Sequence, residues 1–119
     1  MKVVLVILML ASVIGYTSSD IAGVWEWQPA EANNVLRVAL SEAENTMSMG
    51  DAMGYSYNKT TKTKDGTWEG TYTFDNQIAL VTYKGADGKG YFLEFTYDKV
   101  TDRLYCKSIE QWFVRAKKD

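Results

Sequence analysis

Histidine is absent from this 119-residue chain, and cysteine and proline each occur only once. Without histidine, the chain lacks the commonest metal ligand and the commonest general base. Cys106 has no second cysteine for an internal disulfide, so stability must come from packing and from closure of a sheet. With no base to activate that thiol and no spaced acidic loop to bind a cation, we expect no metal and no cofactor.

An excess of positive charge is also missing, since 13 Lys and Arg stand against 15 Asp and Glu. Proteins that bind nucleic acid or anionic membrane surfaces need clustered positive charge. The lysines at 59, 62 and 64 are separated by threonines, a pattern typical of a solvated hairpin. We therefore expect no nucleic-acid partner.

The first residues have the pattern of a secretory signal peptide. Lys2 precedes an uncharged run over residues 3–14, and small or polar residues occupy 15–19. The run is about a dozen residues long, whereas a membrane-spanning helix needs about 20, so an uncleaved anchor is the weaker alternative. We expect a signal peptide over 1–15, cleavage between 15 and 19, and a single domain over 20–119. The mature protein would be secreted, or periplasmic in a Gram-negative source, with no membrane association.

Most of the remaining chain alternates with the period of a β-strand. The predicted strands are 24–28, 34–40, 46–49, 53–58, 67–75, 77–84, 90–97, 103–108 and 111–116. Residues 30–44 also permit a helix. Turns are predicted at 50–51, 65–66 and 75–76, with a flexible loop over 85–90. Eight or nine short strands joined by tight hairpins favour an all-β fold, a small antiparallel up-and-down β-barrel of about eight strands.

The first and last strands carry a family resemblance. Gly23-Val24-Trp25 resembles the Gly-x-Trp motif of the calycin superfamily, which includes the lipocalins. Members of that superfamily also carry a basic residue on or after the last strand, and Arg115 fits that position. The resemblance implies a short, reduced lipocalin-like barrel, closed at one end by Gly23, Trp25 and Arg115, with the guanidinium over the indole. It also implies an interior that holds a small apolar or amphipathic ligand.

Aromatic and methionine side chains are abundant on the faces predicted to point inward. Such side chains form adaptable apolar pockets with polar tips. The predicted ligand-binding residues are Met47, Met49, Met53, Tyr55, Tyr57, Trp68, Tyr72, Tyr91, Phe95 and Tyr97. The alternative is that these side chains simply fill the core, and that the barrel binds a protein, as a secreted protease inhibitor or surface-interaction domain would.

Two further features bear on chemistry and modification. Glu69 and Glu94 alternate out of phase with the aromatic residues, which indicates a solvated face rather than an acid–base pair. We therefore predict no catalytic residue and no enzyme activity. Asn58-Lys59-Thr60 matches the N-glycosylation sequon, so Asn58 would be a glycosylation site in a eukaryotic source.

Overall fold

The computed structural model describes residues 17–27, 33–43 and 49–117, and these form one short helix and eight strands. The helix α1 spans Ser18–Ile21. The strands are β1 Gly23–Trp27, β2 Asn34–Leu40, β3 Gly50–Asn58, β4 Thr63–Asp75, β5 Ile78–Lys84, β6 Gly90–Asp98, β7 Arg103–Cys106 and β8 Gln111–Arg115.

Each strand pairs antiparallel with the next along the chain, and β8 returns to pair with β1. The closing ladder places Trp25 opposite Arg115 and Trp27 opposite Phe113. Because this pairing leaves no free sheet edge, backbone hydrogen bonding replaces the disulfide that the chain cannot form. The predicted all-β, up-and-down barrel is confirmed.

Alternation along the strands divides the side chains between the interior and the outer surface. Along β2, Val38 and Leu40 enter the main core, while Val35 and Arg37 lie on the opposite face. The largest fully buried side chains are Trp25, Tyr72, Phe95, Phe113, Ile21, Leu104, Val38, Val81 and Cys106. Residues 34–40, for which a helix was also permitted, form a strand.

Two predicted turns are wrong, because the residues lie inside strands. Gly50 and Asp51 begin β3, where Gly50 pairs with Tyr72. A side chain at Gly50 would lie 2.3 Å from the Tyr72 ring, so glycine serves close packing there. Gly66 has φ +63 and lies at a register shift between β3 and β4. Its left-handed backbone therefore makes a β-bulge rather than a hairpin turn.

The remaining hairpins match the sequence pattern closely. Asn76 and Gln77 both have positive φ, at 48° and 73°, as a two-residue type I′ turn requires. The predicted leader lies outside the described residues, as does nearly all of the predicted strand 46–49. In the described part of the chain, no helix has the length and apolarity needed to cross a membrane.

Candidate functional site at the open end of the barrel

The two ends of the barrel differ in how far their inward side chains are buried. At the helix end, where β1 begins, Trp25 is 0% exposed and its Nε1 donates to the Ile21 carbonyl at 2.8 Å. The Arg115 guanidinium lies 4.3 Å from the centre of the Trp25 ring. It also donates to the carbonyl oxygens of Asp20 and Ala22. The helix and Arg115 together seal this end.

Arg115 is held in turn by a carboxylate. Its Nε donates to Asp102 Oδ2 at 2.8 Å, and the Tyr97 hydroxyl donates to Asp102 Oδ1 at 2.8 Å. These hydrogen bonds favour the ionised carboxylate, so the pKa of Asp102 is lowered, chiefly by Arg115. Gly23 has φ +130 and a Cβ there would lie 3.1 Å from Arg115 Nη1, which explains glycine at that position.

Tyr72 of β4 packs against Gly50 of β3 near the same end. Its hydroxyl donates to the Ser41 carbonyl. Burial raises the pKa of Tyr72 to about 12, and the nearby charge of Glu42 adds to this effect. The hydroxyl therefore remains protonated as a donor, and the helix end is a packed core.

At the other end, which we call the open end, three inward rings stack across neighbouring strands. The Trp68 and Tyr83 rings lie 4.0 Å apart between centres, at an angle of 13°. The Tyr83 and Tyr91 rings lie 5.7 Å apart at 24°. Tyr91 is 43% exposed, while Trp68 and Tyr83 are half-buried. We call these three residues the aromatic row.

Glycines make room for the aromatic row. A Cβ on Gly54 would lie 2.2 Å from the Trp68 indole, and one on Gly85 would lie 2.6 Å from the Tyr91 ring. Asp87, in the β5–β6 hairpin, accepts hydrogen bonds from the Tyr91 hydroxyl and the Lys89 backbone N–H. Both bonds lower the pKa of Asp87, chiefly the bond from Tyr91, and that same bond raises the pKa of Tyr91. The aromatic row is thus positioned by the glycine backbone at Gly54 and Gly85 and by the Asp87 side chain.

Other apolar side chains share the open end. Trp27 alternates with Trp25 on the inner face of β1 and is 37% exposed. Leu36 and Leu93 are half-buried and pack against the main core. Together with the aromatic row they place apolar and aromatic side chains on the inward faces at the open end. Such a surface can bind a planar apolar molecule by burial and ring contact.

The structure brings together only some of the side chains predicted to line the interior. Trp68 and Tyr91 lie at the open end. Tyr72, Phe95 and Tyr97 belong to the packed core. Met49 is exposed, and Met47 lies outside the described residues. These placements separate residues that the sequence pattern had grouped on a single wall.

Met53, Tyr55 and Tyr57 require a correction, because they lie on the outer face of β3. They form a separate cluster with Val35 of β2. The inward positions of β3 instead carry Ala52, Gly54 and Ser56, and these small residues leave space for the large rings of β4. The large rings of β4 therefore determine which residues of β3 face inward. The alternation within β3 alone does not reveal this.

The outer cluster also binds charged side chains. The Arg37 guanidinium lies 3.8 Å from the Tyr57 ring centre, and its Nε donates to Glu26 Oε1 at 3.0 Å. Burial alone would lower the pKa of Arg37, but its interactions with Glu26 and Tyr55 together outweigh burial and raise it. Lys64 Nζ lies 4.7 Å from the Tyr55 ring centre. This cluster fixes the long β3–β4 hairpin against β2.

Sequence reasoning missed Tyr83, although a signal for it was present. Tyr83 follows Ala79 and Val81 at spacing two within the predicted strand 77–84, so it shares their inward face. Trp27 was likewise in phase with Trp25. Extending the alternation to the strand ends would have identified both residues.

The single cysteine and the predicted glycosylation site also have defined surroundings. Cys106 is buried beside Leu104, and burial raises the pKa of its thiol. Asn58 Oδ1 accepts hydrogen bonds from the backbone N–H groups of Thr60 and Thr61, both at 3.0 Å. The predicted glycosylation sequon therefore begins the turn between β3 and β4.

Among residues 17–27, 33–43 and 49–117, no three His, Cys, Asp or Glu side chains are grouped as a metal site would require. Comparison of the chain with protein-family models, with curated proteins and with solved structures finds no match.

Proposed function

We propose that the open end of this barrel binds a small, planar, apolar or amphipathic molecule. The observation that carries the proposal is the contrast between the ends: the Trp25 and Tyr72 rings are almost completely buried at the helix end, whereas the rings of the aromatic row are partly exposed. Apolar and aromatic side chains with a few polar groups beside them are typical of the lining of a ligand site.

The chemistry of the open end supports this class of ligand. Trp27, Leu36 and Leu93 offer apolar contact, and the hydroxyls of Tyr83 and Tyr91 offer polar groups for one end of a ligand. None of these side chains carries a charge at neutral pH. A neutral or amphipathic molecule would therefore bind without leaving a charge unpaired.

We propose in addition that the barrel is lipocalin-like and that the mature domain is secreted. The contact of Arg115 with Trp25, together with Gly23-Val24-Trp25, supports a reduced lipocalin-like barrel. The charge and apolar pattern of residues 1–19 supports export of the mature domain. A secreted carrier of a small ligand unites these features.

The test is a fluorescence titration with N-phenyl-1-naphthylamine, a neutral planar probe that brightens in apolar surroundings. We expect saturable binding, and binding about tenfold weaker in Tyr91→Ala, because Tyr91 is the most exposed ring of the row. Native mass spectrometry of the purified protein would detect a natural ligand that co-purifies.

Tyr105→Ala is the matched control. Tyr105 is half-buried and contacts another ring, Trp112, but it alternates onto the outer face of β7. The control should leave probe affinity unchanged. Absence of saturable binding, or equal losses in the two variants, would overturn the proposal.

A further inference from the structure

The hydrogen bond at the exposed end of the aromatic row has a fixed direction. It joins the Tyr91 hydroxyl to the side-chain carboxylate of Asp87. An ionised carboxylate can only accept hydrogen bonds, so the tyrosine must be the donor. The single proton of the hydroxyl is thereby engaged. Its oxygen retains lone pairs, so it can accept a further hydrogen bond but cannot donate one.

The protonation states of the two groups agree with this direction. The bond from Tyr91 is the main reason that the pKa of Asp87 is lowered, which keeps the carboxylate ionised at neutral pH. The same bond is the main reason that the pKa of Tyr91 is raised, which keeps the proton on the hydroxyl. Asp87 is therefore the acceptor throughout the neutral range.

The β5–β6 hairpin holds the carboxylate in place. Asp87 Oδ1 accepts a hydrogen bond from the backbone N–H of Lys89 at 2.9 Å. Within the same hairpin, the Gly85 N–H donates to the Lys89 carbonyl at 2.9 Å, and the Gly88 N–H donates to the Gly85 carbonyl at 3.0 Å. The Tyr91 oxygen and the Asp87 carboxylate thus form one polar group at the end of the aromatic row, and both members of that group only accept hydrogen bonds.

Tyr83, the neighbouring ring of the row, sets no such preference. Its ring centre lies 5.7 Å from that of Tyr91, and in the described part of the chain its hydroxyl bonds to no carboxylate. A hydroxyl of this kind can rotate to donate or to accept. Within the row, discrimination between ligand donors and ligand acceptors must therefore come from Tyr91 and Asp87.

We propose that the ligand of the open end carries a hydrogen-bond donor, an aromatic O–H or N–H, on its planar apolar body. This inference rests on the function proposed above and specifies the polar group of the ligand. A donor beside Tyr91 finds its acceptor in the tyrosine oxygen or the Asp87 carboxylate. A ligand whose only polar atom is an acceptor faces two groups that cannot donate to it, and it loses hydrogen bonds to water without replacing them.

Displacement of bound N-phenyl-1-naphthylamine by two related naphthalenes tests the proposal. 2-Naphthol carries an O–H donor, whereas 2-methoxynaphthalene has the same ring system and only an acceptor oxygen. The ether is the more apolar compound, so burial alone would favour it. We expect 2-naphthol to bind about fivefold tighter, as one hydrogen bond at a partly exposed site would give.

Asp87→Asn separates the direction of the hydrogen bond from the shape of the site. The amide can donate to the Tyr91 oxygen, which frees the tyrosine proton for a ligand, so the preference for 2-naphthol should fall at least about twofold. Asp65→Asn is the matched control, because Asp65 is also an exposed acid but accepts the Gly66 N–H rather than a tyrosine hydroxyl. It should keep the preference. Thermal unfolding curves check that both variants fold.

Equal binding of the two naphthalenes by the unaltered protein, or tighter binding of the ether, would overturn the proposal. A preference that survives in Asp87→Asn would also overturn it, as would an equal loss of preference in both variants, which would assign the effect to charge alone. Each of these outcomes requires saturable binding of the probe, so each leaves the proposed function standing. A protein that does not bind the probe would overturn the proposed function and this inference together.

Discussion

Trp25 and Trp27 occupy the same strand and the same face, two residues apart, yet their surroundings differ completely. Trp25 lies under Arg115, donates to the Ile21 carbonyl and is fully buried. Trp27 lies one pleat nearer the open end and is more than a third exposed. The comparison teaches that one end of this barrel is a packed core while the other leaves aromatic surface in contact with solvent.

Two tyrosine–aspartate pairs repeat this contrast. The Tyr97 hydroxyl donates to Asp102 at the helix end, where Arg115 also binds the carboxylate. The Tyr91 hydroxyl donates to Asp87 at the open end, in an exposed hairpin. A tyrosine–aspartate hydrogen bond thus supports barrel closure at the helix end. At the open end, the same kind of bond positions the exposed Tyr91 ring.

The largest expected effect comes from truncating the two tryptophans. Trp25→Ala should lower the free energy of unfolding by about 3–5 kcal/mol, since it leaves a cavity and removes the ring beneath Arg115. Trp27→Ala should cost less than half as much, because its ring is already partly solvated. Urea unfolding of both variants measures the difference. Equal costs would mean that the two ends are packed alike.

An intermediate effect should come from acid. The pKa of Asp102 is depressed in the folded protein, so the stabilisation from its ionised form is present above the unfolded-state pKa of about 3.9. That stabilisation is lost as the pH falls through the lower pKa that Asp102 has in the folded protein. Asp102→Asn should therefore be less stable than the unaltered protein at neutral pH, by about 1 kcal/mol or less for this partly exposed pair, and the difference should shrink in acid.

Asp87→Asn is the control for that measurement. Asp87 also accepts a tyrosine hydroxyl, but it is exposed and contributes to no closure contact. We expect little change in stability at either pH. Urea unfolding at neutral and acidic pH checks both variants. A difference between Asp102→Asn and the unaltered protein that stays constant with pH would contradict the role assigned to this carboxylate.

The smallest expected effect on stability is that of Tyr91→Ala. The substitution removes an exposed ring at the end of the aromatic row, so the free energy of unfolding should change by about 0.5 kcal/mol or less. The same variant should show the weakened probe binding described above. A large loss of stability would indicate that the row belongs to the core and would remove the contrast between the ends.

The strand pattern was predictable because each strand alternates locally. Trp68, Gly70, Tyr72 and Phe74 share a face in both the sequence pattern and the structure. The turn at Gly66 was not predictable in the same way, because a glycine with positive φ serves equally well in a hairpin turn and in a bulge. Only pairing with β3 distinguishes the two.

The candidate site was predictable in part for a related reason. Alternation shows which side chains share a face of one strand, but not whether that face points inward. On β3 the inward face belongs to Ala52 and Gly54, because Trp68 of the next strand needs the space. Tyr55 and Tyr57 are therefore placed outside by a neighbour that is distant in sequence.

The sequence by itself determined that this chain folds into short antiparallel strands that can close into a barrel, because strand period and turn chemistry are local properties. The tertiary structure decided which aromatic side chains seal the helix end, which remain exposed at the open end and which lie outside. That assignment depends on register and on the volume available between neighbouring strands, and both are set only when all eight strands pack together.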